Sequence, residues 1–183
     1  LIIKKITAYL LCADCSPLVY GALCVALSFM LSYIKLFSLP MGGSLTLCSM
    51  LPIAAYACAF GPLYGFTAGL AFGVLQLIQD FYVIHWAQLL LDYFFAFACY
   101  GIAAYFPNKL TLGIAVAGLC RMLCSTLSGG IFFADSAVDA GWSNAWLYSL
   151  AYNGSTIGAE TVLCVLVSLL PPVKKVLGLM KSE

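Results

Sequence analysis

The chain is a succession of apolar runs with glycine and proline between them, and polar residues inside the runs fall at helical spacing. The runs predict six membrane-spanning helices, at about 18–35, 44–60, 63–79, 85–106, 110–133 and 144–170. Pro40, Gly42 and Gly43 mark a loop after the first, and Gly61-Pro62 a turn after the second, which Pro52 interrupts. Pro107-Asn108 ends the fourth and Pro171-Pro172 stops the sixth. Gly65, Gly69 and Gly73 recur four apart in the third, a small-residue spacing that lets helix backbones approach closely.

Composition fixes the class. Hydrophobic residues make up 64% of the 183 and charged residues 8%, against about 25% charged in a soluble domain. The expected fold is an all-α integral membrane protein, a single membrane domain over 1–183. Residues 1–17 form an N-terminal cytoplasmic or interfacial segment, 18–170 the six-helix bundle and 171–183 a cytoplasmic tail. At roughly 20 residues per span, no length remains for an ATPase or other catalytic domain. The segment 1–17 lacks a signal-peptide cleavage pattern and is broken by Asp14 and Pro17.

Charge sets the expected orientation. With the N-terminus inside, cytoplasmic segments hold Lys4, Lys5, Lys109, Lys174, Lys175 and Lys181, and outside loops hold only Lys35 with Asp80, Asp135 and Asp139. Both termini are therefore expected in the cytoplasm of a multi-pass protein of the cell membrane, and a bacterial plasma membrane is the expected one. No basic tract points to nucleic acid. The nine cysteines sit mostly within apolar runs and read as reduced packing residues; Cys12 and Cys15 make a lone CxxC, a weak metal signal. No metal or cofactor is expected.

Polar residues inside the spans carry the candidate chemistry, since an ionisable group in the bilayer is costly and faces the bundle interior. Asp92, Arg121 and Glu160 are the ionisable ones, with Asn153 beside them. His85, Gln88, Asp92 and Ala96 share one stripe of the fourth span. Arg121, Ser125, Ser128 and Gly129 form a stripe on the fifth, and Ser149, Asn153 and Thr156 one on the sixth. A rise of about 1.5 Å per residue brings Asp92, Ser125, Gly129 and Asn153 together in the outer half, with Glu160 deeper. Trp86, Tyr93, Phe132, Phe133, Trp142, Trp146 and Tyr148 crowd the rim of the cavity this implies. A carboxylate, an amide and aromatic rings suit a small ring-containing cation. A structural Asp92–Arg121 ion pair is the competing reading of those two residues, and an interfacial aromatic belt that of Trp142 and Trp146. The chain has no nucleophile–base pair, so an enzyme using Asp92 or Glu160 as base is the weaker alternative, as is a stand-alone carrier.

The blocks GGSLTLCSMLPI (42–53), HWAQLLLDYFFAF (85–97), RMLCSTLSGGIFF (121–133) and WLYSLAYNGS (146–155) resemble the thiamine-specific substrate-binding subunits (S components) of energy-coupling factor transporters. The resemblance runs from about residue 18 to 170. It implies a six-helix, non-enzymatic subunit that captures thiamine from outside with high affinity. Such a subunit docks on a transmembrane coupling subunit with two ATPase subunits. It places Asp92, Tyr93, Gln88, Arg121, Gly129, Phe133, Tyr148 and Asn153 at the ligand pocket, and matches Ala22 and Ala26 to an A-x-x-x-A docking motif. The family commonly reads C-H-F-L-S-G where this chain reads Cys124-Ser125-Thr126-Leu127-Ser128-Gly129. Ser125 thus replaces a histidine that stacks on the ligand, and a pyrimidine or thiazole precursor, or another vitamin, is the alternative substrate.

Overall fold

The computed structural model describes residues 16–39 and 43–182. The expected N-terminal segment, with Lys4, Lys5, Cys12 and Cys15, lies outside these residues except for Ser16 and Pro17, as do Pro40 and Gly42. Helix α1 spans Ser16–Ser32, followed by strands β1 (Lys35–Ser38) and β2 (Ser44–Thr46). Helices α2 (Leu51–Phe60) and α3 (Pro62–Gln79) come next. α4 (Trp86–Tyr105) and α5 (Leu110–Phe132) are long, and a short α6 (Ala134–Asp139) precedes α7 (Ala145–Ser168). α8 covers Pro171–Lys181. Among the described residues three helices, α4, α5 and α7, are long and apolar enough to cross a membrane. Their bounds agree with the fourth, fifth and sixth expected spans to within two residues.

The second expected span is corrected. Its first residues are not helical but pair as β2 with β1, antiparallel, with Lys35 opposite Thr46 and Ser38 opposite Ser44. The chain is therefore mostly helical rather than all-α. Pro52 does not interrupt α2; it sits in the first turn, where its missing N–H costs no helical bond. At about 1.5 Å per residue, ten residues reach only about 15 Å, half of a hydrocarbon core. Non-helical backbone inside a helical bundle needs its polar groups satisfied by the protein, and Thr46, Ser49 and Met50 are buried.

α2 is apolar on every side and fills the middle of the bundle, in contact with α1, α3, α4, α5 and α8. Ile53, Ala54 and Ala57 are fully enclosed with Phe72, Tyr100 and Ile114. The glycine ladder does the packing expected of it. A Cβ on Gly73 would meet Tyr93 O, one on Gly69 would meet Phe97 O, and one on Gly65 would lie 3.0 Å from Gly101 Cα. α3 therefore presses directly on the backbone of α4. The apolar outer surface, with Leu23, Met30, Leu119, Leu123 and Val162 all half exposed or more, is what a lipid-facing bundle presents. Pro171-Pro172 ends α7 and also opens α8, whose Val173, Leu177 and Met180 pack inward.

The seven described cysteines, including Cys48 and Cys164, are all free, and Cys99 and Cys124 lie with sulfurs 3.9 Å apart.

Candidate functional site

Two long helices carry a π-helical turn at the site. In α4 it covers Leu90–Phe95 and contains Asp92; in α7 it covers Gly154–Gly158, immediately after Asn153. Each widens the helix by an extra residue and re-aims the side chains around it, a feature found often at functional sites. Around these turns the structure encloses a cavity of about 190 Å³ between α3, α4, α5, α7 and the β-hairpin.

The nine residues expected at the ligand pocket line this cavity: Gln88, Asp92, Tyr93, Arg121, Ser125, Gly129, Phe133, Tyr148 and Asn153. They do different work. Asp92 Oδ2 accepts from Gln88 Nε2 and from Ser128 Oγ, each at 2.8 Å, and Ser125 stands beside the same carboxylate. Gln88 is buried and fully engaged, since its amide also donates to Tyr82 O and accepts from Ile84 N–H, both at 3.3 Å. It orients Asp92. Tyr93 gives its hydroxyl proton to Asp80 O at 2.6 Å, so what it offers the cavity is its ring and an oxygen lone pair. Asn153 Nδ2 donates to Ser149 O at 2.9 Å, leaving the amide oxygen with no partner among the described residues. Gly129 leaves room where a Cβ would strike Ser149 Oγ. Phe133 stacks on Tyr82, and Tyr148 meets Trp142 edge-on, with centroids 5.9 and 6.0 Å apart.

Arg121 does not pair with Asp92. Its Nη1 donates to Glu160 Oε2 at 3.3 Å and to the Tyr100 hydroxyl, and its guanidinium lies 4.5 Å from the Phe97 ring centroid. Glu160, deeper in sequence terms, lines the same cavity and is 2% exposed. Its Oε1 accepts from Thr46 Oγ1, from Ser49 Oγ at 2.7 Å and from Ser49 N–H at 3.0 Å. Four donors thus hold this carboxylate, and it ties the end of the hairpin to α5 and α7. At the other end Asp80 pairs with Lys35 at 2.9 Å.

The cavity lining carries three carboxylates, Asp80, Asp92 and Glu160. Lys35 answers the first and Arg121 the third. Asp92 bonds only neutral donors and is the one carboxylate of these three that makes no ion pair among the described residues, with Arg121 acting on it only through space.

Several lining residues were not singled out from sequence: Gly43, Thr46, Ser49, Gln76, Tyr82 and Tyr152 among them. Gly43 N–H donates to Tyr152 Oη at 2.9 Å, which joins the hairpin to α7 over the cavity. Conversely, Trp86, Phe132, Trp142 and Trp146, placed at the rim by depth, do not line the cavity, and Trp86 faces outward. His85 caps α4, accepting from Ala87 N–H, and stacks on Phe132. Ala22 and Ala26 lie on the exposed face of α1 with Leu23 and Leu27.

Residues 18–179 match the family model described as thiamine transporter protein. The chain belongs to this family. It is also similar to the thiamine transporter ThiT of Bacillus subtilis (strain 168), 31% identical over 147 residues, covering 71% of this chain and 75% of that protein. A solved structure of ThiT from Listeria monocytogenes superposes with a TM-score of 0.73 at 21% identity, covering 91% of this chain and 94% of the other, a likeness of fold. The family and the curated relative are named for transport, not for catalysis.

Proposed function

We propose that this protein is the thiamine-binding membrane subunit of an energy-coupling factor uptake system. The observation that carries the reading is the carboxyl group of Asp92, which makes no ion pair among the described residues, in an aromatic-lined cavity. Thiamine is a flat aminopyrimidine joined to a thiazolium cation. A carboxylate without a cationic partner offsets the thiazolium charge or accepts from the pyrimidine amine, and the family match supports the choice. Tyr93, Phe133 and Tyr148 supply ring faces for the cation and the pyrimidine. The unpartnered oxygen of Asn153 accepts from the amine. Gln88, Ser125 and Gly129 hold or make space for these contacts, and Arg121 builds the floor with Glu160.

In this reading the chain crosses the plasma membrane of a bacterium six times. α1, α2 with β2, and α3 complete the bundle, both termini lie in the cytoplasm, and the cavity opens outward. The subunit binds tightly but does not pump. The exposed small residues Ala22 and Ala26 on α1 let a transmembrane coupling subunit approach closely, and two ATPase subunits drive release. The test is reconstitution. Vesicles holding this chain alone accumulate no thiamine, and vesicles holding it with a coupling subunit and ATPases accumulate it when ATP is supplied. Uptake by the chain alone would show a stand-alone carrier.

Ser125 supports a second reading. It stands beside Asp92 where the resembling proteins place a histidine ring, and the loss of that ring weakens contact with a two-ring ligand more than with a single-ring precursor. A binding competition between thiamine and its pyrimidine half separates the two readings.

A further inference from the structure

The opposite end of the bundle holds a second and larger opening, of about 650 Å³, formed by the first turns of α5, the last turns of α7 and helix α8. Counted along α5, its floor residue Thr111 lies ten residues, or about 15 Å, from Arg121 of the first cavity, so the two are separate. Its lining mixes two kinds of residue. The basic part is Lys109 and Lys174 with Asn108; among the described residues no carboxylate lines it and neither lysine has an acidic partner. Lys181 Nζ donates to Pro107 O and so ties the turn bearing Lys109 to α8, which bears Lys174. Lys109 also stands at the start of α5, whose first turn no side chain caps, and such a helix end favours negative charge. The rest of the lining is mostly apolar. Leu110, Leu112, Ala115, Val165, Leu169 and Leu177 belong to it, with Leu112 and Leu169 about half exposed on the outer surface of the bundle. Thr111 Oγ1 and Ser168 Oγ lie 3.1 Å apart, and Ser168 donates to Val165 O, so the hydroxyls in the wall satisfy one another.

We propose that this opening binds one anionic phospholipid, with its phosphate between Lys109 and Lys174 and an acyl chain along Leu112, Ala115, Val165 and Leu169. Only a lipid uses both the basic and the apolar residues. A soluble phosphate leaves the apolar groove empty, and a zwitterionic headgroup brings its own cation to two lysines. Basic recesses between helices on the cytoplasmic side of membranes suit acidic headgroups, and this end carries Lys109, Lys174, Lys175 and Lys181. The inference rests on the membrane reading of the chain and not on thiamine.

Native mass spectrometry of the purified full chain in detergent tests it, with dioleoylphosphatidylglycerol and dioleoylphosphatidylcholine at equal mole fraction. The glycerol lipid is expected to be retained about 30-fold more, the discrimination expected of two basic contacts at a membrane surface. Lys109→Ala with Lys174→Ala should bring it down to the choline-lipid level. Lys175→Ala, which removes a neighbouring charge outside the opening, should leave it unchanged. Ala115→Trp, which fills the groove and keeps both lysines, should also abolish retention. Millimolar inorganic phosphate should not displace the lipid. Circular dichroism melts establish that each variant is folded, and thiamine binding should be unaffected in all of them. Equal retention of the two lipids, equal loss in Lys175→Ala, or displacement by phosphate alone each overturns the proposal.

Discussion

Replacing Asp92 by asparagine removes the charge and little else. The side-chain oxygen of the substituted asparagine can still accept from Gln88 Nε2 and Ser128 Oγ, which in the native chain bond Asp92 Oδ2 at 2.8 Å, so the fold around α4 and α5 is kept. What is lost is a carboxylate that makes no ion pair among the described residues. A hydrogen bond to a charged group contributes about 1.5–3 kcal/mol, and a unit charge pair at about 4 Å is worth up to about 4 kcal/mol near a protein surface. With the open cavity screening part of this, thiamine affinity should fall by about 2–3 kcal/mol, or about 30- to 150-fold. The assay is titration in detergent followed by tryptophan fluorescence, for which Trp142 is well placed against the cavity residue Tyr148. The uncharged pyrimidine half of thiamine serves as control. If Asp92 answers the thiazolium, the affinity of this control changes little; if Asp92 holds the amine, both ligands weaken together. An Asp92→Asn protein that binds thiamine as well as the native chain refutes the charge argument. Asp92→Ala is a poorer test because it orphans two donors, at about 1–3 kcal/mol of stability.

Glu160→Ala leaves Arg121 buried without a counter-charge and strips Thr46 and Ser49 of their acceptor; it should cost about 3–5 kcal/mol, read as a lower melting temperature in detergent. Gly73→Ala drives a methyl group into the backbone of α4 at Tyr93 and should destabilise by about 1–3 kcal/mol in the same melt, while Gly178→Ala, in open space on α8, should not destabilise at all. Ser125→His restores a ring beside Asp92 and should tighten thiamine binding by about 0.5–1.5 kcal/mol, or about two- to tenfold in the titration; tighter binding of the pyrimidine half by the native protein than of thiamine would instead favour the precursor reading.

The positions of α4, α5 and α7 were legible because each is a long apolar run closed by proline or polar residues. The polar stripes were legible for the same reason: Gln88 and Asp92, four apart, bond each other, and Arg121, Ser125 and Gly129 share one wall. The second span was not. Its sequence, SLTLCSMLPI, is apolar enough for a helix, but pairing of β2 with β1 is a contact between separate segments that hydropathy does not encode. Nor was the partner of Arg121. Depth counted along straight helices set Glu160 apart from the cavity, whereas the π-helical turn at Gly154–Gly158 re-aims α7 between Asn153 and Glu160. A one-residue insertion into a helical ladder has no compositional mark. The four donors that hold Glu160 come from β2, from the turn at Ser49 and from α5, so only the fold assembles them.

In the proposed function this cavity, in this chain alone, recognises thiamine through a carboxylate that makes no ion pair among the described residues. Isothermal titration of the purified native protein with thiamine, with no coupling subunit or nucleotide present, tests it most directly. Saturable one-to-one binding below micromolar concentration is the predicted result. No binding at tens of micromolar thiamine would contradict it.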